Sequence, residues 1–406
     1  MNGSAQTTMK LGRLGEVARF LRGITFKPVD LVAPGTTDSV VCMRTKNIQS
    51  DLDQTDLIAV PKEFVRRQEL YLQESDILVS TANSWELVGK CCWVPKLDYS
   101  ATAGGFISVL RATPEWILPR YLYHWFNSEA TQRHVRNCGR QTTNISNMSF
   151  ERCEALQVPL PPLAEQKRIA DILDKADGIR RKRREAVEVL GSLDGSAFLH
   201  AFGDPARNSS KWPIYCINQI ATEMQYGTAE KANSNREGIP VVRMNNITYG
   251  GRIDLTDLKW CHIAHRLLPR FTLRRGDLLF NRTNSPELVG KTAVWDRDES
   301  YAYAGYLIRV RFDPERVLPE YVSAFLNCSF GKQLLFGRAK PSNNMSNLSA
   351  TELGRLEIPV PPIHLQREFS NLTHSTDLKR SRLEAAACAA DTLFGTVVQH
   401  AFRGQL

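Results

Sequence analysis

The hydrophobic positions of this chain change their period in the same order twice. Short apolar runs, Ile77 to Val79 and Leu278 to Phe280, predict buried strands, and Phe106 to Leu110 and Tyr306 to Val310 predict two more. Helices are expected to begin near Pro119 and Pro319, since proline suits the first helical position. A polar loop follows in each half, and then a proline-flanked strand end. Val158 to Gln166 reads VPLPPLAEQ, and Ile358 to Gln366, 200 positions later, reads IPVPPIHLQ.

Each Pro-Pro marks a helix start, because proline fixes φ and lacks an N–H. The following segments run without an internal proline to His200-Ala201-Phe202 and His400-Ala401-Phe402. In the first, Ile169, Ile172, Ala176, Ile179, Arg183, Ala186, Leu190, Leu193 and Ala197 lie alternately three and four residues apart, a heptad seam with one basic interruption. In the second, the matching places hold Phe369, Leu372, Thr376, Lys379, Leu383, Ala386, Ala390, Leu393 and Val397. Two helices of about 40 residues, each about 60 Å long at the helical rise, are expected to form a spacer. The alternative is a two-helix core element of one globular domain.

The long helices end a larger duplication. Arg44, Asn47 and Ile48 match Arg243, Asn246 and Ile247; NSWELVGK from Asn83 to Lys90 matches NSPELVGK from Asn284 to Lys291. Leu118, Pro119 and Tyr121 recur as Leu318, Pro319 and Tyr321, and Asn144, Ser146, Asn147 and Ser149 as Asn344, Ser346, Asn347 and Ser349. The offset stays between 199 and 201, so the chain is two half-molecules in tandem. The predicted fold class is mixed α/β (α+β): two tandem domains, 1–157 and 205–357, and two helical segments, 158–204 and 358–406, pairing as an antiparallel coiled coil. Gly203-Asp204-Pro205 is the expected linker.

Composition narrows the function. A length of 406 residues suits two or three domains, and no run of eighteen apolar residues or signal-peptide core occurs, so a cytoplasmic protein is expected. Nine scattered cysteines, with Cys91-Cys92 the one close pair, suit reduced buried thiols better than a zinc site. A net charge of +9 favours an anionic partner. The run Arg180 to Arg184 would spread around its helix, as either a solvated face or a phosphate contact.

No catalytic motif is found. The Asn/Asp-Pro-Pro-aromatic signature of DNA amino-methyltransferases is missing, as are a glycine-rich cofactor loop, a Walker loop and a zinc-ligand set. The polar loops instead suit DNA, because Arg reads guanine, Asn and Gln read adenine, and Lys, Ser and Thr hold phosphates. Such loops are Asn281-Arg282-Thr283-Asn284-Ser285, Arg140-Gln141-Thr142-Thr143-Asn144, and Arg338 to Asn344, which includes Lys340 and Asn343. The alternative is that Asn, Ser and Thr only cap helices and close turns. Domains reading different half-sites must differ where they touch bases. The shared Gly89-Lys90 and Gly290-Lys291, Arg44 and Arg243, and Asn144 and Asn344 therefore suit scaffold or backbone contact, while Asn47, Asn246, Asn83 and Asn284 are further candidate DNA contacts. Ser80, Thr81 and Trp85 against Asn281, Arg282 and Pro286, and Gln141 to Thr143 against Pro341 to Asn343, are the better reader candidates.

Over nearly its whole length the chain resembles the specificity (S) subunits of type I restriction-modification enzymes. The resemblance rests on the order of parts: Gly/Ser-Asp before a strand, the Gly-Lys loop, the Asn-x-Ser segment, and PLPPLAEQKRIADILDKAD from Pro159 to Asp177. The second copy departs from it, with Leu365 where Glu165 stands in the first. The resemblance implies two target-recognition domains reading a split double-stranded DNA sequence, with a helical pair setting the gap. It implies two methyltransferase subunits carrying the S-adenosylmethionine chemistry, translocase-nuclease (R) subunits, and no cofactor or active site in this chain. An S-like subunit of a methylation-only or other phage-defence assembly is an open alternative, and a protein-binding scaffold is another.

Overall fold

A computed structural model describes residues 10–141, 146–285, 288–338, 340–342 and 345–406; side chains at 140, 141, 192–194, 340–342 and 345 are not part of the description. The chain divides into two compact units. The first is Met1–Arg183 with Ala386–Leu406, and the second is Arg184–Ala385.

Each unit is built on the same sheets. In the first, an antiparallel four-stranded sheet runs in the order Ala18–Arg22, Ile107–Ala112, Ile77–Ser80, Cys91–Trp93. In the second the order is Ala221–Tyr226, Leu307–Phe312, Leu278–Asn281, Thr292–Val294. The central strands are buried on both faces, which explains their unbroken apolar reading. A mixed three-stranded sheet packs nearby: Ile58–Pro61, Ser39–Met43 and Ala101–Ala103 in one unit, Lys259–Cys261, Ile239–Val242 and Ala302–Tyr303 in the other.

One expectation needs correction here. The strands predicted from Phe106 and Tyr306 begin one residue later, at Ile107 and Leu307, and both aromatics lie in the preceding turn. Six of the nine cysteines are buried and all are free thiols; burial pushes Cys42 and Cys92 up to about 12.

The long helices are Leu163–Phe202 and Ile363–Arg403. The carbonyl of Pro162 accepts from the backbone N–H groups of Glu165 and Gln166, so the proline stands one place ahead of the first helical residue. The repeated glutamine explains the rest of the motif. Buried Gln166 accepts from Leu118 N–H (2.8 Å) and donates to the carbonyls of Trp116 (3.1 Å) and Pro161 (2.9 Å). Gln366 repeats this with Leu318 (2.8 Å), Arg316 (3.3 Å) and Pro361 (2.7 Å). The side chain thus bolts the helix start to the loop before Pro119 or Pro319. The Tyr121 hydroxyl donates to the Pro159 carbonyl at 3.0 Å, and Tyr321 makes the same bond to Pro359.

The helices pair antiparallel inside each unit. In the first, Arg180 approaches Asp391 and stacks on Phe394, Arg183 donates to the Ala386 carbonyl, and Arg168 donates to the Leu406 carbonyl. In the second, Phe198 and Phe202 pack on Phe369, and Arg380 donates to the Leu190 carbonyl. The seam differs from the predicted one at several positions. Ile179, Leu372 and Leu393 are 54%, 51% and 63% exposed, whereas Leu173, Asp177, Arg380 and Ala387 are buried. Charged residues occupy seam positions because each has a partner on its own helix: Asp177 binds Arg180 and Arg181, and Asp377 binds Arg380. A reading that reserves seams for apolar residues slips by one position around them.

Candidate nucleic-acid interface

The polar loops that sequence alone left separate meet on one small sheet in each unit. In the first, Ala82–Asn83 pairs with Ser146–Met148, which pairs with Gly139–Gln141. In the second, Thr283–Asn284, Met345–Asn347 and Lys340–Ser342 form the same order. The register places Asn83 opposite Ser146, Arg140 opposite Asn147, Asn284 opposite Ser346, and Lys340 opposite Asn347. Backbone bonds tie this sheet to the core. Thr81 N–H donates to the Phe106 carbonyl and the Thr81 carbonyl accepts from Met148 N–H; Arg282 repeats both bonds with Tyr306 and Leu348. Thr142, Thr143, Asn144, Pro286, Asn343 and Asn344 lie outside the described residues.

Several of the shared residues have partners within their own unit. Asn47, fully buried, accepts from Arg44 N–H (2.8 Å) and donates to the Asp53 carbonyl (2.9 Å). Asn246 repeats this with Arg243 and Asp254. Arg44 and Arg243 donate to the carbonyls of Asp56 and Asp257. The two asparagines hold their loops closed, so burial removes Asn47 and Asn246 from direct DNA contact. Asn281 is also fully buried, its amide donating to the Leu288 carbonyl, which removes it as a base reader.

Lys291 is a further correction. Its ammonium donates to the carbonyls of Ile247 (2.6 Å) and Met244 (3.2 Å), the residue is 7% exposed, and burial pushes its pKa down. Two backbone carbonyls thus occupy this ammonium within its own unit. Lys90 differs, reaching Gln49 at 2.7 Å from a part-exposed position. The preceding glycines serve packing: Gly89 and Gly290 have φ of 85° and 79°, and a Cβ there would stand 2.6 Å from Val135 and 2.7 Å from Leu335.

What is accessible around the small sheet is aromatic and basic. Trp85 is 43% exposed, with the Arg136 guanidinium 5.7 Å from its ring centroid. Arg282 lies 5.0 Å over Tyr226, and its Nε is buried without a hydrogen-bond partner among the described residues. Arg22, in the place of Tyr226, instead stacks on Phe150 at 4.7 Å. Asn83 and Asn284 are part-exposed, Thr81 and Ser80 are buried, and Arg338 is exposed and donates to the Arg355 carbonyl. Sequence reasoning missed Arg136, Tyr226, Phe106 and Tyr306. The signal available was Gly-aromatic at Gly105-Phe106 and again at Gly305-Tyr306. The basic run on the first long helix is mostly engaged within its unit: Arg181 binds Asp51 and Asp177, Arg180 binds Asp177, and Arg183 binds the Ala386 carbonyl.

A duplicated α/β unit, two sheet-borne polar loops and two long helices define a class of tandem recognition proteins, and comparison places the chain within it. Residues 7–189 match the family model of the type I restriction modification DNA specificity domain. The specificity subunit of the type I restriction enzyme EcoKI from Escherichia coli K12 is 26% identical, over 96% of this chain and 87% of that protein. The StySPI specificity subunit of Salmonella potsdam is 24% identical over the same shares. In fold, the chain resembles the S subunit of a type I system from M. genitalium, with a TM-score of 0.60, 13% identity and coverage of 99% and 98%. A chain from a structure of type I system assembly and conformational transition gives 0.58, 16% identity and 98% coverage of each. By the family model over residues 7–189 and by these relatives over most of its length, the chain is similar to the specificity subunits of type I restriction-modification systems. No helix among the described residues is long and apolar enough to cross a membrane.

Proposed function

We propose that each unit reads one half of a split double-stranded DNA target with the loops gathered on its small three-stranded sheet. In this reading 1–157 and 205–357 are the target-recognition domains, and 158–204 and 358–406 are the spacer helices. The chain contributes no catalytic group and no cofactor. It acts in the cytoplasm, where two methyltransferase subunits holding S-adenosylmethionine and the translocase-nuclease subunits supply the chemistry. Candidate DNA contacts are Trp85, Asn83, Lys90 and Arg140 to Asn144 in one unit, and Arg282, Asn284, Arg338, Lys340, Asn343 and Asn344 in the other. Arg44 and Arg243 are candidates for contact with the DNA backbone.

The observation that carries this reading is the pairing of both polar loops on one sheet, once per unit, beside exposed aromatic and arginine side chains. Polar loops scattered over a surface would suit turns alone; loops hydrogen-bonded side by side suit a continuous reading edge. The test is methylome sequencing of a host with and without this gene, followed by titration of the assembled methyltransferase on the site found. Arg282→Ala is expected to weaken discrimination in one half-site only, by about 1–3 kcal/mol for a lost bidentate guanine contact. Equal loss on target and random DNA would remove Arg282 as a reader. A methylome unchanged by deleting the gene would count against the function itself.

A further inference from the structure

Phe106 and Tyr306 are anomalous. Each occupies the third position of a turn closed by a backbone bond, from Ile107 N–H to the Gly104 carbonyl and from Leu307 N–H to the Ala304 carbonyl, both 2.9 Å. Neither residue has a positive φ, so the turn accepts most residue types, yet the residue is aromatic in both units and 68% and 54% exposed. Neither ring belongs to an apolar cluster or an aromatic pair among the described residues.

The turns are held rigidly. Gly104 N–H donates to the Met43 carbonyl and Ala304 N–H to the Val242 carbonyl, each at 2.9 Å. The aromatic residue's own carbonyl accepts from the first residue of the candidate reader segment, Thr81 at 2.9 Å and Arg282 at 3.0 Å. One hydrogen bond therefore separates each exposed ring from the strand that carries the polar loop. An isolated exposed hydrophobic residue is ordinary. An exposed ring at the same turn of both duplicated units, joined by the same bond to the same strand, is a repeated design.

We infer that Phe106 and Tyr306 are the apolar DNA contact common to both half-sites, each ring wedging between stacked base pairs at the edge of the segment its unit reads. The inference rests on the proposed function. The basic net charge and the arginines beside the same sheets favour nucleic acid as the occupant. An apolar wedge between base pairs makes no hydrogen bond to a base edge, so it tolerates many sequences. That is why one residue class suits both units while the neighbouring Thr81 and Arg282 differ.

The test uses the full chain assembled with its methyltransferase partners on a duplex carrying the target found by methylome sequencing, with 2-aminopurine placed in each half-site in turn. Phe106→Ala and Tyr306→Ala are each expected to raise the Kd about tenfold, and the pair about a hundredfold. Each is expected to abolish the 2-aminopurine fluorescence change in its own half-site alone. The slope of log affinity against log salt stays as in the parent, since an uncharged ring releases no counterions. Thermal midpoints are unchanged because the rings are exposed, and Phe106→Tyr and Tyr306→Phe restore binding. Unaltered affinity and fluorescence in both alanine variants, with the parent binding its target, would overturn the inference alone. A parent complex that binds no DNA would overturn the function reading as well.

Discussion

The two units share a fold but distribute charge differently at equivalent positions. In the first, the buried carboxylate Asp76 holds one arginine, Arg111, in a bidentate pair at 2.6 and 2.7 Å. In the second, Asp277 holds Arg311 in the same way, but Val109 is replaced by Arg309, which is 1% exposed and bound to Glu223 beside it. The fold thus tolerates a second interior guanidinium where another carboxylate is within reach. Burial raises the Glu223 carboxyl, but Arg309 and Arg311 together hold it below its usual range. Docking on the long helices shows a matching reversal. Arg181 of the first helix binds Asp51 of its unit, whereas Glu384 of the second helix binds Arg252, which stands where Asp51 does. Duplicated domains with opposite signs at one docking position each disfavour the other's helix segment.

The largest effect is expected at the charged cores. Asp277→Ala leaves buried Arg309 and part-buried Arg311 with Glu223 as their one carboxylate among the described residues and is expected to cost about 3–5 kcal/mol, measured by denaturant unfolding with hydrogen exchange reporting on Leu279 and Leu78 separately. Protection should fall in the second unit and stay in the first. Because the Glu223 pKa is depressed in the fold, its stabilising contribution is present above the unfolded carboxyl value of about 4.3 and is lost as pH falls through the lower folded value.

The Gly-Lys loops are next. Lys291→Met strands the Met244 and Ile247 carbonyls and is expected to destabilise the second unit by about 1–3 kcal/mol, with little change in DNA affinity once the protein is folded. Lys90→Met should leave stability nearly untouched. A Lys291 variant of normal stability but weakened binding on all sequences would restore the phosphate-contact role.

Lys332 sharpens the contrast further. Burial, reinforced by the Lys291 charge, lowers its pKa to about 8, while its ammonium donates to the Gly290 carbonyl and Asn327 and lies near Cys328 and the Tyr249 ring. Gln132 occupies this place in the first unit. The folded value lies below the unfolded one of about 10.4, so Lys332 makes stability rise with pH between the two. Hydrogen exchange corrected for its intrinsic pH dependence should show the second unit strengthening from pH 8 to 10, and Lys332→Gln should flatten that rise. The smallest effect is at the docking pairs. Asp51→Arg places like charges together beside Arg181 and should cost about 0.5–1 kcal/mol, measured by denaturant unfolding.

Much of the fold was legible in the chain because repetition and backbone chemistry are local. The Pro-Pro steps announced both long helices to within one residue, and the buried runs at Ile77 and Leu278 announced the central strands. The 200-residue offset told that one unit occurs twice. The family could be recognised for the same reason, since its most specific stretch is contiguous.

Only tertiary structure decided what each polar residue does. Asn47, Asn246, Asn281 and Lys291 have the composition of DNA contacts, but their hydrogen-bond partners lie on the protein's own backbone, several to more than 40 residues away. The helix seam slipped because Asp177 and Arg380 are buried through partners that a hydrophobicity pattern ranks as solvent-facing. Conversely Phe106 and Tyr306 resembled strand residues, because an aromatic beside an apolar run reads as core. Burial and exposure depend on which distant segments fold back over a position: local sequence set the elements, while long-range packing set which side chains face water.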